Sequence, residues 1–73
     1  MPSTIYLKCK QIMQEIKRAG FETQITWNDL VPIIRKTAGA HKVTVANYRR
    51  ELQAFGFLKA INDYVFSIEE VKG

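Results

Sequence analysis

The side chains in this sequence that carry reactive or strongly polar chemistry are few and unevenly placed. Its only cysteine is Cys9 and its only histidine is His41. Catalysis by a nucleophile needs a base within hydrogen-bond reach, and no such pair is suggested by the spacing here. Glu69 and Glu70 fall in a terminal EEVKG run expected to fray, and there is no glycine-rich loop to cradle a phosphate. A lone cysteine excludes an internal disulfide framework and a multi-cysteine zinc site. With only His41 beside it, neither a metal nor a cofactor is expected, and the chain does not read as an enzyme. The cations stand out instead. From Leu30 to Arg50 the chain carries Arg35, Lys36, Lys42, Arg49 and Arg50 with no acid among them. Lys8, Lys10, Lys17 and Arg18 add a second basic group near the start, whereas the segment from Glu51 onward is net acidic. Clustered cations of this kind suit phosphate binding. A solvated basic face is the competing explanation, and charge alone does not separate the two.

Those cations must be held by something small. Seventy-three residues allow one domain, 1–73, and a chain of that length buries only about 60% of the surface it exposes when unfolded. Apolar residues at 47% and charged residues at 25% match ordinary globular composition. No run approaches the roughly 18 apolar residues of a membrane span, and the first thirty positions are too interrupted by charge for a signal peptide. A cytoplasmic location is therefore expected.

Hydrophobic spacing predicts three helices. Over 4–19, Ile5, Cys9, Ile12, Ile16 and Ala19 recur on one stripe of a 3.6-residue period, with Tyr6 and Met13 flanking it and Leu7 on the polar side. Ser3 or Thr4 suits the cap, and Gly20 the left-handed stop with Phe21 folding back. Cys9, on the buried stripe, reads as a small hydrophobe. A second helix is predicted over about 28–38, with Trp27, Leu30, Ile33, Ile34 and Ala38 inward. Thr26 followed by Asp29 is a helix-start signature, but Pro32 belongs in a first turn, which favours a start near Asn28 or Asp29. Gly39 supplies the turn into a third helix over 42–55, where Val45, Tyr48, Leu52 and Phe55 face inward. Its opposite face holds Val43, Ala46, Asn47, Arg50 and Ala54. Trp27 and Tyr48, on apolar faces, read as core residues. After Gly56 the period changes to two, predicting strands over 57–61 and 64–68 joined by a two-residue turn at Asn62-Asp63. A hairpin alone is marginal, so residues 23–26 are expected to add a third strand. The fold class is α+β, in the order α-β-α-α-β-β.

At this point the chain resembles the winged helix-turn-helix superfamily. The resemblance runs from Ile5 to Ile68 and rests on Leu30, Ile33, Ile34, Gly39, Thr44-Val45, Tyr48, Leu52 and Gly56-Phe57-Leu58. The phrase TVANYRRELQAFGFL looks like that superfamily's Thr-Val opening of a recognition helix, its later Leu, and its Gly before two hydrophobics. In length the chain is similar to small single-domain regulators of archaeal, phage or plasmid type. The resemblance implies sequence-specific binding of double-stranded DNA, as in transcription regulation, with the third helix in the major groove. By position it implies base contacts from Val43, Ala46, Asn47 and Arg50. Chemistry agrees, since Arg reads guanine, Asn reads adenine and Val covers a thymine methyl. Backbone contacts are implied for Lys36, Lys42, Thr44, Arg49 and Lys59, with Arg35, Lys8 and Lys10 as further candidates. His41, beside the recognition helix, is expected to be a solvent-exposed imidazole or a phosphate contact.

One departure from the pattern concerns the hairpin. DNA-reading wings usually carry Arg or Lys at the tip, and an aspartate there repels phosphate. A passive wing is therefore expected, with Lys59 and Tyr64 its only contributors. A homodimer is expected, using the first helix around Tyr6, Leu7 and Met13, because one such domain offers a modest DNA interface. Two rival functions stand beside this reading: a winged-helix protein-docking module, and a sequence-neutral architectural DNA binder. A docking face should carry large apolar anchors where this chain has Asn47 and Arg50. A neutral binder should rely on Lys and Arg alone.

Overall fold

Helix α1, Thr4–Arg18, is the first element of a computed structural model that describes residues 4–69. Cys9, Ile12 and Ile16 are sealed from solvent along the predicted stripe. The stripe fails at both ends, because Ile5 and Ala19 are exposed. Ala19 lies just past the helix end, at an open hollow shared with Pro32 and Ile33 of the following helix, where solvent still reaches it. Met13, expected only to flank the stripe, is buried. The α1 stop is as read from Gly20. Phe21 N–H donates to Ile16 O and Gly20 N–H to Lys17 O, the paired bonds of a Schellman cap, with Gly20 at φ 99°. The expected cap at Ser3 lies outside the described residues, and Thr4 is already helical.

Strand β1, Gln24–Thr26, runs directly into helix α2, Trp27–Thr37. Thr26 Oγ1 accepts from Asp29 N–H at 3.3 Å and donates to Asp29 Oδ2 at 2.9 Å. That reciprocal cap fixes the start at Trp27 rather than at Asn28 or Asp29. The inference from Pro32 is thus corrected: Pro32 stands beyond the first turn, inside the helix. Its missing N–H leaves one carbonyl of an exposed turn to water, a tolerable loss when the cap satisfies the first turn. Trp27 N–H is taken by Tyr64 O at 2.7 Å, which ties this helix start to the hairpin.

Helix α3, Lys42–Ala54, follows a short turn and ends in a second Schellman cap. Phe57 N–H reaches Leu52 O and Gly56 N–H reaches Gln53 O, with Gly56 at φ 81°. The chain is thereby turned back into strand β2, Leu58–Ala60, and strand β3, Val65–Ile68. The sheet order is β1-β3-β2, antiparallel throughout. All three strands are shorter than their predicted spans.

The hairpin turn differs from expectation. Ile61 N–H bonds Val65 O, so three residues, Asn62 to Tyr64, make the loop, and none has a positive φ. Asn62 Oδ1 accepts from both Tyr64 N–H and Val65 N–H, supplying from a side chain what a two-residue turn takes from the backbone. The extra loop residue shifts the register by one. Ala60 therefore faces Phe66, and Leu58 faces Ile68. A one-residue shift exchanges sheet faces. With this one, Ile25, Leu58 and Phe66 all point into the helices and are fully or nearly fully buried. The core is completed by Leu30, Ile34, Val45, Leu52 and Phe57. Trp27, Ile33, Ala38, Tyr48 and Phe55, expected inward, are half-buried around it. Glu69, expected to fray, donates its N–H to Phe57 O, and the rest of the tail lies outside the described residues.

Candidate functional site

The residues singled out on the third helix project from a well-anchored rod. Val45 and Leu52, one face of α3, are buried against α1 and α2. At about 100° per residue this leaves Val43, Ala46, Asn47 and Arg50 on the far side, and all four are exposed. Val43 is 59% exposed, the largest value among the big apolar side chains of the described residues. No acid lies on α3 before Glu51, which is half-buried and near enough to Cys9 and Tyr48 for its charge to act on both. The outward face is thus flat at Ala46, amide-bearing at Asn47 and cationic at Arg50.

His41 has a role that sequence reasoning missed. It is the N-cap of α3, with φ −69° and ψ 139°, and its Nδ1 accepts from Val43 N–H at 3.3 Å. Capping of this kind requires a neutral imidazole with its proton on Nε2. Thr44, a backbone-contact candidate, is half-buried. A Cβ placed on Gly39 would stand 3.4 Å from Thr44 Cγ2, so this methyl closes the turn before the helix. Lys42 is exposed at the first position of α3.

The remaining backbone-contact candidates do not converge on one face. Arg49 is half-buried, its guanidinium 4.7 Å from the Trp27 ring centroid and 5.2 Å from that of Phe66. It also donates from Nη2 to Asp63 O at 3.3 Å, holding the hairpin tip against α3. Lys36 turns the other way and pairs with Glu15 of α1 at 3.6 Å. Its neighbour Arg35 lies on the α3 side of α2, in a cleft with Lys42 and Arg49. Lys59 is paired with Ser67 on the sheet face opposite the core. Lys8 donates to Thr37 O at 3.4 Å and so ties α1 to the end of α2. Lys10 sits 5.9 Å from the Tyr6 ring centroid.

The α1 surface assigned to self-association is altered too. Met13 is buried, and Tyr6 packs edge-on to Phe55 at 5.1 Å and beside Phe57 at 5.7 Å. Of the three residues only Leu7 stays exposed, with Ile5 nearby on the same helix. Cys9 lies in the core, where burial chiefly, and then the Glu51 charge, pushes its thiol up to about 11. Burial also raises Tyr48, followed by the charges of Cys9 and Glu51. No helix among the described residues is long and apolar enough to cross a membrane.

Comparison with known families, with curated proteins and with solved structures gave no match. The site therefore rests on its own geometry: an exposed α3 face free of acid, flanked by Lys42 and Arg35, with Arg49 bridging to the hairpin. His41 as a cap was legible only from its place directly before Lys42-Val43, and the Arg49 stack had no signal in the linear sequence.

Proposed function

We propose that this chain is a winged helix-turn-helix domain that binds double-stranded DNA sequence-specifically, as a transcriptional regulator, with α3 in the major groove. The observation that carries the reading is the outward face of α3, where Val43, Ala46, Asn47 and Arg50 are exposed together and unopposed by acid. Arg50 offers a bidentate donor pair to guanine, Asn47 a donor and acceptor to adenine, and Val43 an apolar surface to a thymine methyl. The small Ala46 lets the helix approach base edges closely. The sheet order and the three-helix arrangement are compatible with a winged helix, and the β2–β3 hairpin then serves as the wing. Lys42 and Arg35 contact phosphates along the α2 flank of this face, and Arg49 acts mainly by fixing the wing.

Fluorescence anisotropy of labelled duplex DNA at several salt concentrations tests this, comparing the native chain with an Asn47→Ala, Arg50→Ala variant. Micromolar or tighter binding that weakens with salt and falls in the variant is expected. Arg50→Ala alone should cost about 1–3 kcal/mol at one base position. Equal losses on specific and random DNA would show that α3 does not read bases. The regulator binds as a homodimer through α1, now centred on Leu7 and Ile5, to half-sites about 34–36 Å apart or a multiple of that. Sedimentation as a monomer both free and on DNA refutes the dimer. A protein-docking function is the second reading, favoured by Ile61 and Tyr64, both about half exposed on either side of the hairpin tip. Absence of salt-dependent DNA binding at low ionic strength would select it.

A further inference from the structure

A cleft of about 410 Å³ opens between α2, along its length from Trp27 to Arg35, and the first half of α3, reaching the outward face of α3 at Ala46. Trp27, Val31 and Val45 give it an apolar floor, and Arg35, Lys42 and Arg49 stand around it. Trp27 and Val31 are one turn apart on α2, as are Val45 and Arg49 on α3, so two packed helices hold the walls. No acid lines the cleft. Arg49 is committed to the Trp27 ring and to Asp63 O. Arg35 and Lys42 have no ion-pair partner among the described residues, whereas Lys36 and Arg18 are both paired with Glu15.

Two exposed cations without ion-pair partners stand beside an apolar floor, so a ligand with an anionic group and an apolar body can engage both. Positive potential concentrates in a concave site with low-dielectric walls. Apolar surface at the floor gains from covering by a flat hydrocarbon. The volume lies within the roughly 300–1,000 Å³ of small-molecule sites, which are mostly apolar with a few placed polar groups. We infer that this cleft binds a small aromatic carboxylate, its ring against Val31, Val45 and the edge of Trp27 and its carboxylate between Arg35 and Lys42. The cleft shares Arg35, Lys42 and Ala46 with the proposed DNA surface, but this binding does not rest on DNA recognition and is tested without DNA.

Titration of the isotope-labelled chain with 2-naphthoate, followed by two-dimensional NMR, is the test. The chain has a single tryptophan, so the indole N–H of Trp27 is an unambiguous reporter. Saturable movement of that signal and of the Val31 and Val45 amides is expected, with half-saturation at about 0.1–1 mM for a ligand of this size. An Arg35→Gln, Lys42→Gln variant should bind about five-fold more weakly, the loss of two partly exposed ion pairs. A Lys10→Gln, Lys17→Gln variant removes the same charge elsewhere and should bind as the native chain does. Neutral 2-naphthamide and inorganic phosphate should each bind at least about five-fold more weakly than naphthoate. Circular dichroism of each variant verifies the fold, and both exchange only exposed side chains. The inference is overturned if the Trp27 signal stays fixed, if naphthamide or phosphate matches naphthoate, or if the two double variants behave alike.

Discussion

Replacing Arg49 by alanine separates a structural arginine from a DNA-contacting one. The guanidinium lies 4.7 Å from the Trp27 centroid and 5.2 Å from the Phe66 centroid, both inside the roughly 6 Å range of cation–π attraction. Half-buried, each contact contributes about 0.5–1 kcal/mol. The hydrogen bond to Asp63 O, long at 3.3 Å and exposed, adds about 0.5 kcal/mol. The expected loss is therefore about 1.5–2.5 kcal/mol, which in a domain of this size lowers Tm by roughly 6–20 °C. Thermal unfolding by circular dichroism measures it directly. Arg49→Met, which keeps the apolar stem but removes the charge and the fork, should recover part of the loss through packing alone. A double-mutant cycle with Trp27→Leu should return a coupling of about 0.5–1 kcal/mol. A Tm change under about 2 °C for Arg49→Ala, or no coupling to Trp27, would refute the stack as the link between α3 and the hairpin.

Three further outcomes follow from other parts of the molecule. Because folding raises the Cys9 thiol from 9.0 to about 11, the folded state holds that proton more tightly. Its contribution is full below pH 9 and lost as pH rises toward 11, about 2–3 kcal/mol in all. Urea titrations should show that component vanish in Cys9→Ala, and an unchanged alkaline slope in that variant would contradict it. Gly56→Ala forces a side chain to φ 81° at the α3 stop and should cost about 1–2 kcal/mol in chemical denaturation; a neutral result would mean that the helix can end another way. Arg35→Ala should weaken DNA binding and lower the salt slope by about one, whereas Lys36→Ala, turned toward Glu15, should change it less. The reverse order in anisotropy titrations would return Lys36 to the interface.

Much of the fold was legible because it rests on local periodicity. The α1 stripe through Cys9, Ile12 and Ile16, the stop at Gly20 and the change to period two after Gly56 are properties of short windows, and the structure keeps them. The ends of those windows misled. Ile5 and Ala19 fit the stripe but stay exposed, since burial depends on how closely the opposite element packs. Pro32 suggested a later helix start, and the Thr26–Asp29 cap overrode it. Of the candidate site, the outward placing of Val43, Ala46, Asn47 and Arg50 follows from helical geometry, because Val45 and Leu52 form the inner face.

By itself, then, the sequence determined three amphipathic helices, a terminal hairpin and the acid-free outer face of the third helix, since each depends on residues at most a few turns apart. Only the tertiary structure decided where the long side chains go. Lys36 and Arg35 are neighbours in the chain, yet one pairs with α1 and the other joins Lys42 at the cleft. Arg49, a phosphate-contact candidate by position, is laid across Trp27 and Phe66, residues brought beside it by β1 pairing with β3. Asn62, through one side-chain oxygen, set a three-residue turn and with it the register of the sheet. Flexible cationic side chains and turn amides choose among partners distant in sequence, and that choice exists only once the backbone has folded.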